Sequence, residues 1–130
     1  MQPVTVDPRR ATPPSQQLVE ALLDRIAGGV LGVDDRLPSV RVLAAEVLVN
    51  PNTVGKAYRE LEALGVVQGR SGSGVYVTRR GPRIAEALRQ AATRDAFVRA
   101  YEAACAAGHR TDDLLALLAA TPQPAGGETT

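Results

Sequence analysis

The sequence predicts a mainly α-helical chain of the α+β type. A unit of three helices carries a two-stranded hairpin, and a short pair of helices follows it. Three observations predict this. Apolar residues recur three and four apart in three successive segments before Gly65. Two short runs rich in β-branched residues then flank a glycine-containing turn at Arg70-Ser71-Gly72-Ser73-Gly74. Beyond the hinge RRGPR at 79–83, a long helical pattern resumes.

Residues 1–14, rich in Pro, Thr and Arg without periodicity, read as a flexible arm. Ser15 is the expected cap of the first helix, and Leu18, Val19, Leu22, Leu23 and Ile26 form its inner face. Gly28 and Gly29 stop it, and LGVDDRLP forms a loop closed by Pro38. Ser39 caps the second helix, whose inner face is Val40, Leu43, Ala44 and Val47. After a short turn at Leu48 and Val49, Asn50 caps the third helix. Pro51 takes its first position, where a missing N–H costs nothing. That helix buries Val54, Ala57, Tyr58, Leu61 and Leu64, and Gly65 supplies its left-handed stop. VVQGR and GVYVT are the strands.

A long helix is expected from about Pro82 or Arg83 to Ala107, with Gly108 ending it. Thr111 is the expected cap of a last short helix containing Leu114, Leu115, Leu117 and Leu118. The tail from residue 121 to 130 has the composition of a disordered segment. The domain reading is therefore an arm at 1–14, a unit of three helices and a hairpin at 15–78, a helical region at 79–120 and a tail at 121–130.

Composition narrows the function. The chain has 130 residues, 45% of them hydrophobic but only 3% aromatic, so one domain with an appendage is expected around an aliphatic core. A single cysteine, Cys105, excludes an internal disulfide and fits a reducing cytosol. No run has the length of a membrane span, and the N-terminus lacks the apolar stretch of a signal peptide. There is one histidine, His109, with Asp112 and Asp113 near it. That is too few converging ligands for a metal site, and no nucleophile–base pair or phosphate loop suggests catalysis. No enzyme activity, metal or cofactor is expected.

Three helices followed by a hairpin is the winged helix-turn-helix order, in which the second helix of the motif enters the major groove. Asn50, Asn52 and Thr53 are suited to contacts there, because they donate and accept hydrogen bonds beside free backbone N–H groups. Gly55 leaves room for close approach, and Lys56 and Arg59 can reach the phosphate backbone. The segment from Arg36 to Arg80 carries a local charge of +4 in a chain of net +1, the pattern that phosphate contact favours. Taken alone, Asn-Pro-Asn also serves as simple capping, and winged helices also serve as protein–protein adaptors. The conjunction of these features favours double-stranded DNA as partner.

The motifs LPSVR, NTV-x-KAY-x-x-LE-x-x-G and GSG-x-x-V, within the stretch from about Ser15 to Thr78, resemble the DNA-binding domain of GntR-family bacterial transcription regulators. The resemblance implies a winged helix on a dimerising C-terminal region, acting in the cytoplasm on the bacterial nucleoid. It implies contacts from Ser39 and Arg41 at the start of the second helix, and from Asn50, Asn52, Thr53 and Lys56 in the recognition helix; Tyr58, in the same motif, reads as core. Gly72 matches the wing-tip glycine that approaches the minor groove, flanked by Arg70, Ser71 and Ser73. Two departures stand out. Leu48 occupies a turn position where the family often has glycine, at a cost of roughly 1–2 kcal/mol if it is left-handed. Pro51 and Gly55 stand where many members carry arginine, so the base readout of those members does not transfer.

The remaining residues are too few for the large effector domains of other branches and resemble the YtrA-like subfamily, whose short C-terminal helices mainly dimerise. The expected dimer surface is Ile84, Leu88, Ala91, Val98, Tyr101 and Cys105 with Leu114 and Leu118. A homodimer implies a palindromic, inverted-repeat operator, and the resemblance implies the action of a repressor. A small-molecule effector is left open as a further partner, and the sequence does not name it.

Overall fold

The computed structural model describes residues 3–124. Its elements are α1 (Pro14–Ala27), α2 (Val40–Val47), α3 (Pro51–Ala63), β1 (Val67–Arg70), β2 (Gly74–Val77), α4 (Gly81–Ala106) and α5 (Thr111–Ala120). They form the winged-helix arrangement that the periodicities predict. Among the described residues no helix is long and apolar enough to cross a membrane. The chain divides into two compact units, Met1–Arg89 and Gln90–Thr130.

In the first unit, α3 packs against both α1 and α2 and leads into β1. The core is aliphatic. Leu18, Leu22 and Ile26 of α1, Leu43 of α2, and Val54 and Leu61 of α3 are completely buried. Val66, Val67 and Val77 close it from the hairpin side. Each such side chain contributes about 1.5–3 kcal/mol of transfer free energy. Tyr58 is the one aromatic residue among them.

Local signals set most boundaries. The Ser39 hydroxyl accepts the Val42 N–H at 3.2 Å, and the Asn50 side chain accepts the Asn52 N–H at 2.8 Å. Gly65 is left-handed as expected. Three local expectations differ. The first helix begins at Pro14, with Pro13 rather than Ser15 at the cap position, and Gln17 N–H to Pro13 O closes its first turn. Leu64 is the C-cap of α3 and is 37% exposed rather than buried, at the point where the helix gives way to the left-handed Gly65. Thr111 lies inside α5, with Arg110 at the cap. Its hydroxyl pairs with Tyr101 at 2.7 Å instead of capping.

The hairpin is antiparallel, with Val67 opposite Val77 and Arg70 opposite Gly74. Residues 34–37, expected as plain loop, pair along β2. Asp34 N–H donates to Val77 O, Val77 N–H to Asp35 O and Leu37 N–H to Val75 O. A third edge therefore braces the wing, and Gly74 makes this possible. A Cβ there would lie 2.6 Å from Arg36 Nε, and its φ of 134° excludes most side chains. Gly81 opens α4 in similar confinement, since a Cβ would fall 2.5 Å from Val66 O. Ala85, one turn further, is fully buried. The first unit therefore extends past Thr78, where the sequence placed the boundary, and takes in the start of α4.

The arm is not loose over its described part. Val4 is buried, and Gln17, 4% exposed, holds the arm with its side chain. Its Nε2 donates to Asp7 O and Thr12 O, and its Oε1 accepts the Asp7 N–H. Residues 125–130 of the expected tail lie outside the described residues.

The second unit contains the rest of α4 and α5. Gly108, at φ 103°, forms the break between them. No residue of α5 is buried, and Phe97, Val98, Tyr101, Leu115, Leu117 and Leu118 are all at least 40% exposed.

Candidate nucleic-acid interface

The helix-turn-helix turn is built on Leu48. Its φ of 58° and ψ of 48° are left-handed, and its side chain is 89% exposed. The N–H groups of Leu48 and Val49 both reach Ala44 O, which closes α2 and launches Asn50 in extended geometry. A leucine occupies the position without contributing core contacts, so the strain is not offset locally.

From that turn α3 presents its first residues outward. Asn52 is exposed and Thr53 half-buried, while Val54, Ala57, Tyr58 and Leu61 face the core. The backbone N–H of Asn52 is taken by the Asn50 cap, so Asn50 is committed to structure. Gly55 gives space to Arg59, whose Nη1 lies 3.4 Å from where a Cβ would stand. The guanidinium thus folds back along the helix toward its N-terminus. Arg41 and Lys56 are also exposed. Among the described residues, no carboxylate lies within 4 Å of Arg41, Lys56 or Arg59. Lys56 and Arg59 of α3 and Arg41 at the start of α2 thus stand exposed and outside any close ion pair.

Ser39 is exposed, but its hydroxyl oxygen serves as the α2 cap. The loop before it is tied to α3, because Tyr58 Oη donates to Pro38 O at 2.6 Å. Burial raises the Tyr58 pKa well above the usual phenol range, with the Glu46 charge adding to it.

At the wing, Gly72 forms the tip with φ 71° and open space around it, and Ser71 beside it is exposed. The flanking side chains are already engaged. Arg70 pairs with Asp34 at 2.7 Å and stacks over the Tyr76 ring at 4.1 Å. The Ser73 hydroxyl bonds that of Tyr76. Asp34, which the sequence reading passed over, lies 36 residues from Arg70, too far for any local pattern to signal.

The residues assigned to a dimer surface divide between the units. Ile84 is half-buried against the core of the first unit, and Leu88 is 38% exposed. Ala91, Val98, Tyr101 and Cys105 are exposed in the second unit, and Leu118 with them, while Leu114 is half-buried. Cys105 is a free, exposed cysteine. Phe97, 56% exposed and four residues before Tyr101, is a further apolar residue that the expected surface left out.

The family model for bacterial regulatory proteins of the gntR family matches residues 14–77. The HTH-type transcriptional repressor YtrA of Bacillus subtilis (strain 168) is 40% identical over 75 residues, covering 58% of this chain and 58% of that protein. The chain thus matches less than two thirds of that relative's length. A GntR family transcriptional regulator from Listeria monocytogenes superposes with a TM-score of 0.74 at 26% identity, over 90% of this chain and 100% of that one. YtrA from Sulfolobus acidocaldarius, a GntR-family transcription factor, superposes with a TM-score of 0.59 at 31% identity, over 72% of this chain and 97% of the other.

Proposed function

The chain belongs to the gntR family of bacterial regulatory proteins, and from that premise we propose that it is a transcriptional repressor binding an inverted-repeat DNA operator as a homodimer. The family is one of transcriptional regulators rather than enzymes. The observation that carries the proposal is the outward first turn of α3, where Asn52 is exposed and Thr53 half-buried, followed on the same helix by exposed Lys56 and Arg59. Arg41 of α2 is exposed too, and among the described residues none of the three cations is in a close ion pair. In the major groove the two polar side chains read base edges, and the cations meet phosphates on either side. Ser39 and the Gly72 wing tip add backbone contacts.

Dimerisation is supported by the second unit, whose Phe97, Val98, Tyr101, Leu115, Leu117 and Leu118 lie exposed. Apolar side chains in that number mark a surface that a second copy covers. The two-fold axis then sets two recognition helices on two half-sites. Ala91 and Cys105 are exposed in the same unit, and Leu114 is half-buried there. The assembly works in the bacterial cytoplasm, on the nucleoid.

The test is selection of bound duplexes from a random library. Enrichment of a two-fold symmetric sequence, with half-sites about one helical turn or a small multiple apart, supports the reading. Absence of any enriched sequence, with a partner protein retained instead, makes the chain a winged-helix adaptor.

A further inference from the structure

The arm is fixed in place, and its position is informative. Gln17 anchors Asp7 and Thr12 by three hydrogen bonds from a side chain 4% exposed. Asp7 in turn shapes the following turn: its carboxylate accepts the Arg9 N–H at 2.9 Å and its carbonyl the Arg10 N–H at 3.2 Å. Val6 and Pro8 share the lining of a cavity of about 390 Å³ with Leu48, Asn50 and Thr53. The turn that carries Arg9 and Arg10 therefore stands beside the start of α3, next to the residues proposed to enter the major groove.

We propose that this turn is a second DNA-contacting element, with Arg9 and Arg10 gripping phosphates that flank each half-site. The inference rests on the DNA-binding reading of α3. Arginine suits the task, since its guanidinium presents a planar fork of donors to phosphate oxygens. The Arg9 side chain is 90% exposed, and its contact with Asp7 is a solvent-exposed pair that holds it weakly. Arg10 lies 3.9 Å from Glu20, too far for a hydrogen bond. Both are free to exchange a carboxylate for a phosphate. The Gln17 anchor means that the backbone of the turn is ordered before DNA arrives, so little ordering entropy is lost on contact.

The experiment measures affinity of the full chain for a short random-sequence DNA duplex over a series of salt concentrations. Variants are the double substitution Arg9→Ala/Arg10→Ala, its charge-retaining counterpart Arg9→Lys/Arg10→Lys, and Lys56→Ala. The alanine pair is expected to flatten the slope of log K against log salt by about one to two units, while the lysine pair keeps most of it. Thermal unfolding of all three stays at the wild-type temperature. A flattened slope for Lys56→Ala with an unchanged slope for the alanine pair overturns the arm proposal alone. A wild-type chain that binds no duplex, or slopes equal to wild type for Lys56→Ala and the alanine pair alike, overturns the reading of α3 and the arm with it.

Discussion

The hydroxyl of Tyr58 donates a 2.6 Å hydrogen bond to the carbonyl oxygen of Pro38, so the middle of α3 holds the residue that precedes the α2 cap. Removing the hydroxyl leaves a half-buried carbonyl without its partner. Tyr58→Phe is expected to cost about 1–2 kcal/mol in urea unfolding. The bond also carries a pH signature. The folded pKa of Tyr58 lies above its unfolded value, so the neutral form is favoured by folding. Its stabilisation is complete below pH ~10 and is lost as pH rises above that, because the unfolded chain then releases the proton first. The Phe variant lacks this alkaline loss, and the difference between the two unfolding curves above that pH measures it.

Leu48→Gly is expected to stabilise the protein by up to about 1 kcal/mol. Relief of left-handed strain, roughly 1–2 kcal/mol, exceeds the added entropy of an unfolded glycine. The leucine side chain is 89% exposed, so its removal sacrifices little packing. A lower unfolding midpoint in the glycine variant would show that the exposed leucine is held by contacts that the strain argument omits.

Asn52→Ala and Thr53→Ala each delete a hydrogen-bonding group from the outward turn of α3 while leaving the Asn50 cap in place. Each is expected to weaken binding to a selected operator by about 1–3 kcal/mol, with little change in affinity for unrelated duplex. Thermal stability stays near wild type. Equal operator affinity for both variants and wild type places the reading surface elsewhere. Asn50→Ala is a poorer probe, since losing the cap itself costs about 1 kcal/mol of stability.

Asp34 neutralises Arg70 in the free protein. Asp34→Asn keeps a residue tolerant of the observed φ of 66° but removes the charge. Both partners are well exposed, so stability falls by at most about 1 kcal/mol. Affinity for duplex is expected to rise several-fold at low salt, because Arg70 becomes available to phosphate. Unchanged affinity in a gel-shift titration means that the wing arginine stays on Tyr76 when DNA is bound.

Truncation after Arg89 retains Gly81 and Ala85, which pack into the first unit, and deletes the exposed apolar surface of the second. The fragment is expected to stay folded, to sediment as a monomer, and to lose most operator affinity. A dimeric fragment, or a monomer of full affinity, refutes the role assigned to the second unit.

Much of this was written locally. Helix periodicity, the Ser39 and Asn50 caps, Pro51 at the first turn and the glycines around the wing each act within a few residues of chain. The sequence alone therefore determined the order of helices and strands, the core faces of α1 to α3 and the stretch from Asn50 to Arg59 as candidate reader. Tertiary structure decided the rest, because those features depend on groups far apart in sequence. Gln17 secures an arm that composition marks as loose, since satisfying buried backbone groups outweighs local polarity. Residues 34–37 become a third edge of the wing only where β2 offers them free N–H and C=O groups. Arg70 belongs to Asp34 and Tyr76 before it can belong to DNA. Leu48 is left-handed because α2 and α3 must both pack on one core, and the geometry of that turn overrides the preference of the residue that occupies it.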